Sequence, residues 1–320
     1  MTLVVNPNAT TVNDDLRTFV VAALEADHDL SLVATQRRGH GIELAASAAE
    51  SGAQVVVALG GDGAANEAAN GVAGTATALA ALPAGSTNVF SRTVGFDSDP
   101  RRATVQLVDA LKSFSRRRLA LGMAQWTGGG DRRFLFHAGL GFDAEVIERV
   151  ESNPGLKRRI GQGAFLLATA QAWFGQKTRR SSRFSARTHD VAGGVRECRG
   201  AFAICMLTDP YTYLGPLPLR VLSVADGEME RGFSLVVFDD IRALTLLGAG
   251  AAALSGRRAL AELPGIEVYP GLESVTVVGE APLHYQLDGE HLGTAGQIHL
   301  RHEPEGLEVV VPSAPPPSEL

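Results

Sequence analysis

Cysteine is nearly absent: of 320 residues only Cys198 and Cys205 carry a thiol. Two thiols build neither a disulfide framework nor a cysteine-rich zinc site, and such sparse use fits a reducing cytoplasm. A positive charge surplus is missing too, since 29 Lys and Arg stand against 35 Asp and Glu for a formal net charge of −6. Without a global positive field, broad DNA or RNA binding is disfavoured, and only a local basic patch stays open. Long apolar runs are lacking as well. The longest, around 160–175 and 244–255, are too short or too polar to cross ~30 Å of hydrocarbon. Met1 to Val5 offers no basic n-region or extended apolar h-region before Asn6-Pro7 interrupts it, so no signal peptide is visible. The expectation is a cytoplasmic protein, at most peripheral at the inner membrane face.

What is present is enough apolar material for two cores, 45% hydrophobic residues in a chain of 320. The first hundred residues alternate short β-branched runs with Ala-rich stretches, the pattern of a parallel sheet covered by helices. Strands are predicted at 3–5, 31–35, 55–59 and 78–82, and helices at 13–26, 41–51, 64–72 and 100–113. Beyond about residue 120 the texture changes to short strands separated by Gly, Pro and Asp: 134–137, 200–206, 234–238 and 274–278. That pattern predicts a mainly antiparallel second domain, interrupted by helices near 156–174 and 241–261. Residues 312–320, rich in Pro and Ser, bury too little to offset their ordering entropy and read as a disordered tail.

The sharpest chemical signal is Gly60-Gly61-Asp62-Gly63, between the apolar run Val55 to Leu59 and a helical stretch. Glycines there let backbone approach a ligand, and the N–H groups at a helix start favour an anion such as phosphate. No Gly-Lys-Ser/Thr follows, so this is not a Walker A loop, and Asn66 stands where a third dinucleotide-fingerprint glycine belongs. A plain Asx turn closed by glycine is the structural alternative. A second loop, Leu82-Pro83-Ala84-Gly85-Ser86-Thr87-Asn88, also follows a strand of the same sheet. In a parallel sheet both loops leave the carboxyl edge and can line one crevice, although helix capping alone would use the same residues.

Together with Asn6-Pro7-Asn8, these motifs resemble the catalytic domain of the diacylglycerol kinase and sphingosine kinase superfamily, the bacterial soluble lipid kinases in particular. The similarity continues through His137-Ala138-Gly139-Leu140-Gly141-Phe142-Asp143 and Leu287-Asp288-Gly289-Glu290. Gly-Gly-Asp-Gly by itself is shared with NAD kinases and phosphofructokinases. The resemblance implies a Rossmann-like α/β domain binding ATP over residues 1–120, to which the chain end, about 296–311, returns. It implies a β-sandwich over 121–295 for the lipid substrate. Asn6 and Thr35 would lie near the nucleotide. Gly60, Gly61, Asp62, Gly63 and Asn66 would wrap its phosphates, with Gly85, Ser86, Thr87 and Asn88 in the next loop. Glu290 would be the base on the acceptor hydroxyl, while Asp62 and Asp288 would support Mg²⁺ and geometry. Three positions depart from the family pattern. Ala64 replaces a common Thr, Val89 replaces a common acid, and Met229-Glu230-Arg231-Gly232 stands where some members bind a structural Mg²⁺. A fixed positive charge at Arg231 argues against that metal site.

For Asp288 and Glu290 the bland alternative is an exposed hairpin turn. Lys157-Arg158-Arg159 and Lys177, Arg179, Arg180, Arg183 and Arg187 flank the apolar stretch 160–174. Such a segment can rest on an anionic membrane, each near-surface cation adding ~1 kcal/mol, or be a core helix with solvated ends. The histidines, among them His137, His284, His291, His299 and His302, show no metal-ligand helix spacing and read as structural. The resulting expectation is an ATP- and Mg²⁺-dependent lipid kinase acting on a neutral lipid, diacylglycerol first and a sphingoid base next. An NAD-kinase-like enzyme and a non-catalytic nucleotide- or lipid-binding regulator are the alternatives. No nucleic-acid partner is expected, and a homodimer is left open.

Overall fold

The computed structural model describes residues 1–151, 183–222, 231–240 and 262–313. The chain divides into two compact units, Met1–Ala120 with Glu305–Leu320, and Leu121–Pro304. The returning segment starts at Glu305, so residues 296–304 belong to the second unit.

In the first unit the chain runs β1 (Thr2–Val5), α1 (Asp14–Glu25), β2 (Ser31–Ala34), α2 (His40–Glu50) and β3 (Val55–Gly60). It continues through α3 (Asp62–Val72), β4 (Ala78–Pro83), α4 (Val89–Thr93) and α5 (Pro100–Lys112). The strands are parallel in the order β4–β3–β1–β2, with Leu3 beside Val57 and Val57 beside Ala80. The interior strands β3 and β4 are buried at every residue, as strands covered on both faces must be. Edge strand β2 leaves Leu32 48% exposed. Asn13 caps α1 by accepting the Leu16 N–H at 2.8 Å, Asp14 and Asp15 sit in the first turn, and Leu16, Val20 and Leu24 form the buried stripe. Asp99 and Pro100 start α5 in the same manner. Helix α3 begins at Asp62, two residues before the expected Ala64, and the short α4 was not expected at all. Residues 312–313 are not part of a loose tail. The Val311 N–H donates to the Ser115 carbonyl at 3.1 Å, and the Ser313 and Ser113 hydroxyls lie 2.7 Å apart.

The second unit contains β6 (Asp131–Phe134), β7 (His137–Gly141), α6 (Phe142–Glu151), β8 (Phe184–Asp190), β9 (Val195–Gly200) and β10 (Phe202–Met206). After these come β11 (Thr212–Leu214), β12 (Leu217–Leu219), β13 (Phe233–Phe238) and β14 (Ile266–Leu287). Strands β5 (Arg116–Trp126) and β15 (Glu290–Val310) pass through the division between units. Pairing here is antiparallel, β13–β10–β7–β14–β15, and β8 joins β14. Strand β14 pairs with β13 near its start and with β7 near its end, so the sheet curls on itself. Inside the curl sit Leu140, Phe233, Leu235, Val275, Val277 and Leu300; the outer face of β10 and β13 buries Phe202, Ile204, Val236 and Phe238 with Phe142.

Two strand expectations need correction. The run 134–137 is not one strand but joins the end of β6 at Phe134 to the start of β7 at His137, because the N–H groups of Leu135 and Phe136 between them serve a carboxylate described below. The run 274–278 is a fragment of β14, which continues past Gly279 to Pro282 by a register shift between Val278 and Leu283. Helix α6 was not expected. The helices expected at 156–174 and 241–261 lie outside the described residues, and among the described residues no helix is long and apolar enough to cross a membrane.

Candidate functional site

In the first unit, Asn6, Thr35, the Gly60–Gly63 turn and the 84–88 loop all follow parallel strands, so they share the carboxyl edge of the sheet. The Asn6 N–H donates to the Leu59 carbonyl at 3.0 Å, and its side-chain oxygen accepts from the Asn8 N–H at 3.0 Å. The Thr35 N–H donates to the Val5 carbonyl at 2.9 Å.

The two glycine loops touch backbone to backbone. The Ala84 N–H donates to the Gly60 carbonyl at 2.7 Å. A Cβ on Gly85 would come within 2.6 Å of the Gly61 Cα, and one on Gly61 within 3.2 Å of the Gly85 Cα. A Cβ at Gly85 is excluded unless the loops part, and one at Gly61 requires the facing backbone to yield by a few tenths of an ångström. Gly60 faces Ala64 so closely that an added Cβ would lie 2.5 Å from the Ala64 Cβ, so the small residue at position 64 suits this turn. Asn88, held at φ 50°, braces the second loop by accepting the Gly85 N–H at 2.7 Å and donating to the Gly85 carbonyl at 3.0 Å.

Asp62 fastens one loop to the other. Its carboxylate accepts the Thr87 hydroxyl and the Phe90 N–H, each at 3.0 Å. Burial pushes this carboxyl above its ordinary pKa, while the donors from Phe90, Val89, Thr87 and Asn88 draw it back. Gly63 and Ser86 remain exposed, whereas Asn66 is 1% exposed and accepts from the Asn70 amide inside α3. Asn66 therefore supports the helix rather than presenting a side chain to a ligand.

Glu67 is a positioning residue that sequence reasoning missed. Helix α2 has Gly39 at its N-cap and no capping side chain of its own. Glu67 of α3 supplies the cap, accepting the Gly39 and Gly41 N–H groups at 2.8 Å each. This holds the segment that follows Thr35. The available signal was a lone acid in the run Ala64 to Ala69, where an uncompensated charge could not be buried.

In the second unit the chemistry gathers at the β14–β15 hairpin. Asp288 and Gly289 both have positive φ, 50° and 79°, as a two-residue turn of the primed type requires. The turn is not the exposed one that composition suggests, since Asp288 is 6% and Glu290 8% exposed. The Asp288 carboxylate accepts three backbone N–H groups, from Leu135 at 2.7 Å, Phe136 at 3.0 Å and His137 at 3.1 Å. In return, the Asp288 N–H donates to the His137 carbonyl at 2.9 Å. Asp288 is a backbone clamp. Glu290 accepts from the Arg132 guanidinium at 2.8 Å, with side-chain exposures of 11% and 13%. Arg132 was also missed; its one cue was the adjacent pair Arg132-Arg133, of which Arg133 goes to Glu303 at 2.7 Å. His137 packs against Phe136 and Tyr211, and burial lowers its pKa to about 3.

The carboxylates of Asp62 and Asp288 are engaged by protein donors, a poor match to the oxygen-rich, regular shell that a protein-held Mg²⁺ demands. Arg231 is exposed just before β13, while Met229 and Glu230 lie outside the described residues. So does most of the basic-flanked segment. Of its described cations, Arg187 pairs across β8 and β9 with Glu197 at 2.8 Å. One expectation is overturned: His284 and His291 are not dispersed but converge with Glu148.

A parallel sheet with two interlocked glycine turns at its carboxyl edge is the arrangement in which helix starts and loop N–H groups can receive an anion. Residues 1–115, about the first third of the chain, match the family model described as diacylglycerol kinase catalytic domain. A protein of Chromohalobacter salexigens named "Probable lipid kinase YegS-like" is 35% identical over 53% of this chain; the matched stretch spans 53% of that relative, about half its length. A Pseudomonas putida protein of the same name is 25% identical over 95% of this chain and 93% of its own. A crystal structure titled as a diacylglycerol kinase from Bacillus anthracis superposes with TM-score 0.68 at 17% identity, covering 98% of this chain and 97% of that one.

Proposed function

We propose that the protein is an ATP-dependent lipid kinase that transfers the γ-phosphate of Mg-ATP to a lipid hydroxyl, with diacylglycerol the favoured acceptor and phosphatidic acid the product. The observation that carries this reading is the Gly61–Gly85 contact locked by Asp62. It offers two glycine-lined turns and the start of α3 to one anion, within the stretch that matches the diacylglycerol kinase catalytic domain model.

Phosphoryl transfer asks a protein mainly for positioning and charge neutralisation. In this reading the backbone of Gly60 to Gly63, together with Ser86, receives the phosphates, and Asn6 and Thr35 border the nucleotide. The Mg²⁺ arrives with ATP as part of the substrate. Glu290 accepts the proton of the lipid hydroxyl as its oxygen bonds to the γ-phosphorus and the bond to the β-phosphate oxygen breaks, releasing ADP. Arg132 fixes the orientation of Glu290, and Asp288 sets the hairpin that carries it. A peripheral encounter with the membrane would bring the acceptor.

The test is transfer of labelled γ-phosphate from Mg-ATP to diacylglycerol, sphingosine, ceramide and NAD in mixed micelles, with Glu290→Gln alongside. Labelled phosphatidic acid, lost in the variant, is the expected result. Labelling of NAD alone would overturn the lipid assignment, and ATP binding without transfer to any acceptor would point to a regulator.

A further inference from the structure

Three ligand-type side chains outside the proposed reaction site converge in the second unit. His284 stands on β14 and His291 on the paired strand β15, with His284 opposite Thr294 and His291 opposite Gln286. Helix α6 brings Glu148 to the same place. The His284 Nδ1 lies 3.1 Å from the His291 Nε2 and 3.5 Å from the Glu148 Oε2, and the three atoms all fall within 4.8 Å of one another.

We propose that Glu148, His284 and His291 form a binding site for a divalent transition metal of the Zn²⁺ class. The spacing is the first argument. Ligands ~2.0–2.1 Å from a tetrahedral Zn²⁺ stand about 3.3–3.4 Å apart, and the two short separations here bracket that edge length. Donor chemistry is the second. Two imidazoles and a carboxylate suit Zn²⁺, Co²⁺ or Ni²⁺, whereas Mg²⁺ and Ca²⁺ prefer all-oxygen shells. A hydrogen bond between the two rings explains only part of the arrangement. If the His284 Nδ1 carries a proton, His291 and Glu148 compete for it. If it does not, its lone pair faces a carboxylate oxygen, and a cation relieves what one proton cannot. The site is also reachable, since the side chains of His284 and Glu148 are 34% and 46% exposed. Three protein ligands leave a fourth position for water.

An occupied site would tie α6 to the hairpin. His291 directly follows Glu290, and in an extended strand successive side chains take opposite faces, so the metal would brace the strand from the side away from Glu290. The inference does not rest on the kinase reading, and neither outcome of the transfer assay bears on it.

The test uses the full chain, stripped with chelator and titrated with Co²⁺ while the d–d absorption is followed, and then with Zn²⁺ in competition. We expect one equivalent to bind with the intense bands of a four- or five-coordinate ion and to raise the melting temperature. His284→Ala, His291→Ala and Glu148→Gln should each weaken binding at least ~10–100-fold, the loss attached to outer-shell partners being the floor for a direct ligand. His299→Ala, on the same strand but bonded to Thr276, should bind as the parent does. Should a histidine variant fail to fold, Glu148→Gln decides, since it keeps the side chain's shape on a half-exposed helix surface. A weak octahedral spectrum in the parent, or equal binding by parent and ligand variants, would mean adventitious metal only and would overturn the site.

Discussion

The two units build their sites from different materials. In the first, the working parts are main chain and small side chains at strand ends, and parallel topology alone carries them to one edge. In the second, the parts are charged side chains that find partners far along the chain. Asp288 reaches backbone 151 to 153 positions earlier, and Glu290 meets Arg132 across 158. A site of the first kind tolerates no added bulk, while one of the second kind tolerates no unpaired charge. The comparison makes separable predictions.

The largest effect belongs to Glu290→Gln, which should lower transfer by ~10²–10⁴-fold while leaving ATP affinity unchanged, as a general base does. Single-turnover transfer beside equilibrium ATP binding measures both. Equal losses in binding and transfer would move Glu290 out of the acceptor chemistry. Next comes Asp288→Ala. Removing the clamp leaves three buried N–H groups without their acceptor, at about 1–3 kcal/mol each, softened by local relaxation to about 3–5 kcal/mol in total. Hydrogen exchange should quicken at Leu135 to His137 and in the hairpin, with no change at Gly60 to Asn88. Exchange that quickens in both units alike would erase the distinction. Gly85→Ala is the counterpart in the first unit. Its new methyl meets the Gly61 Cα, not a flexible side chain, so the loops must part, at about 3 kcal/mol. ATP affinity should fall, whereas exchange around Asp288 should stay as it was.

The same contrast explains how much was legible in advance. Apart from the short α4, the first unit's strands and helices followed from hydrophobic period and glycine punctuation, because β1, β3 and β4 are buried along their whole length and each turn is local. Gly61 and Gly85 stood out for the same reason. Glu67, by contrast, gave no motif: its task is to cap a helix 26 residues earlier, and only the cost of burying an acid hinted at it. In the second unit, resemblance singled out Asp288 and Glu290, but composition alone made them a surface turn. Nothing local tells Arg132, which pairs with the buried Glu290, from Arg133, which pairs with Glu303. Strand β14 was read as one short piece because Gly279, Ala281 and Pro282 look like a turn, although a register shift carries the strand through them. His284 and His291 were dismissed on helix spacing, a rule that does not apply to neighbouring strands of a hairpin.

The smallest effect separates the units by the sign of their response to acid. His137 has its pKa lowered to about 3 by burial, so the native second unit holds the ring neutral while the unfolded chain protonates it below about 6.5. Its contribution is therefore complete above pH 6.5 and drains away as the pH falls toward 3, costing about 2 kcal/mol by pH 5. His299 and His302, also lowered by burial, act in the same direction. In the first unit Asp62 acts in the opposite direction. Its carboxyl is raised by burial, so the native unit binds a proton more readily than the unfolded chain, and acid favours it. Denaturant melts at pH 7 and pH 5, read by exchange in each unit, should show the second unit weakening first. His137→Phe, which keeps a ring between Phe136 and Tyr211, should remove about 2 kcal/mol of that pH dependence. If the variant weakens between pH 7 and pH 5 as much as the parent, the acid sensitivity lies elsewhere, and the buried histidine is no part of what distinguishes the two units.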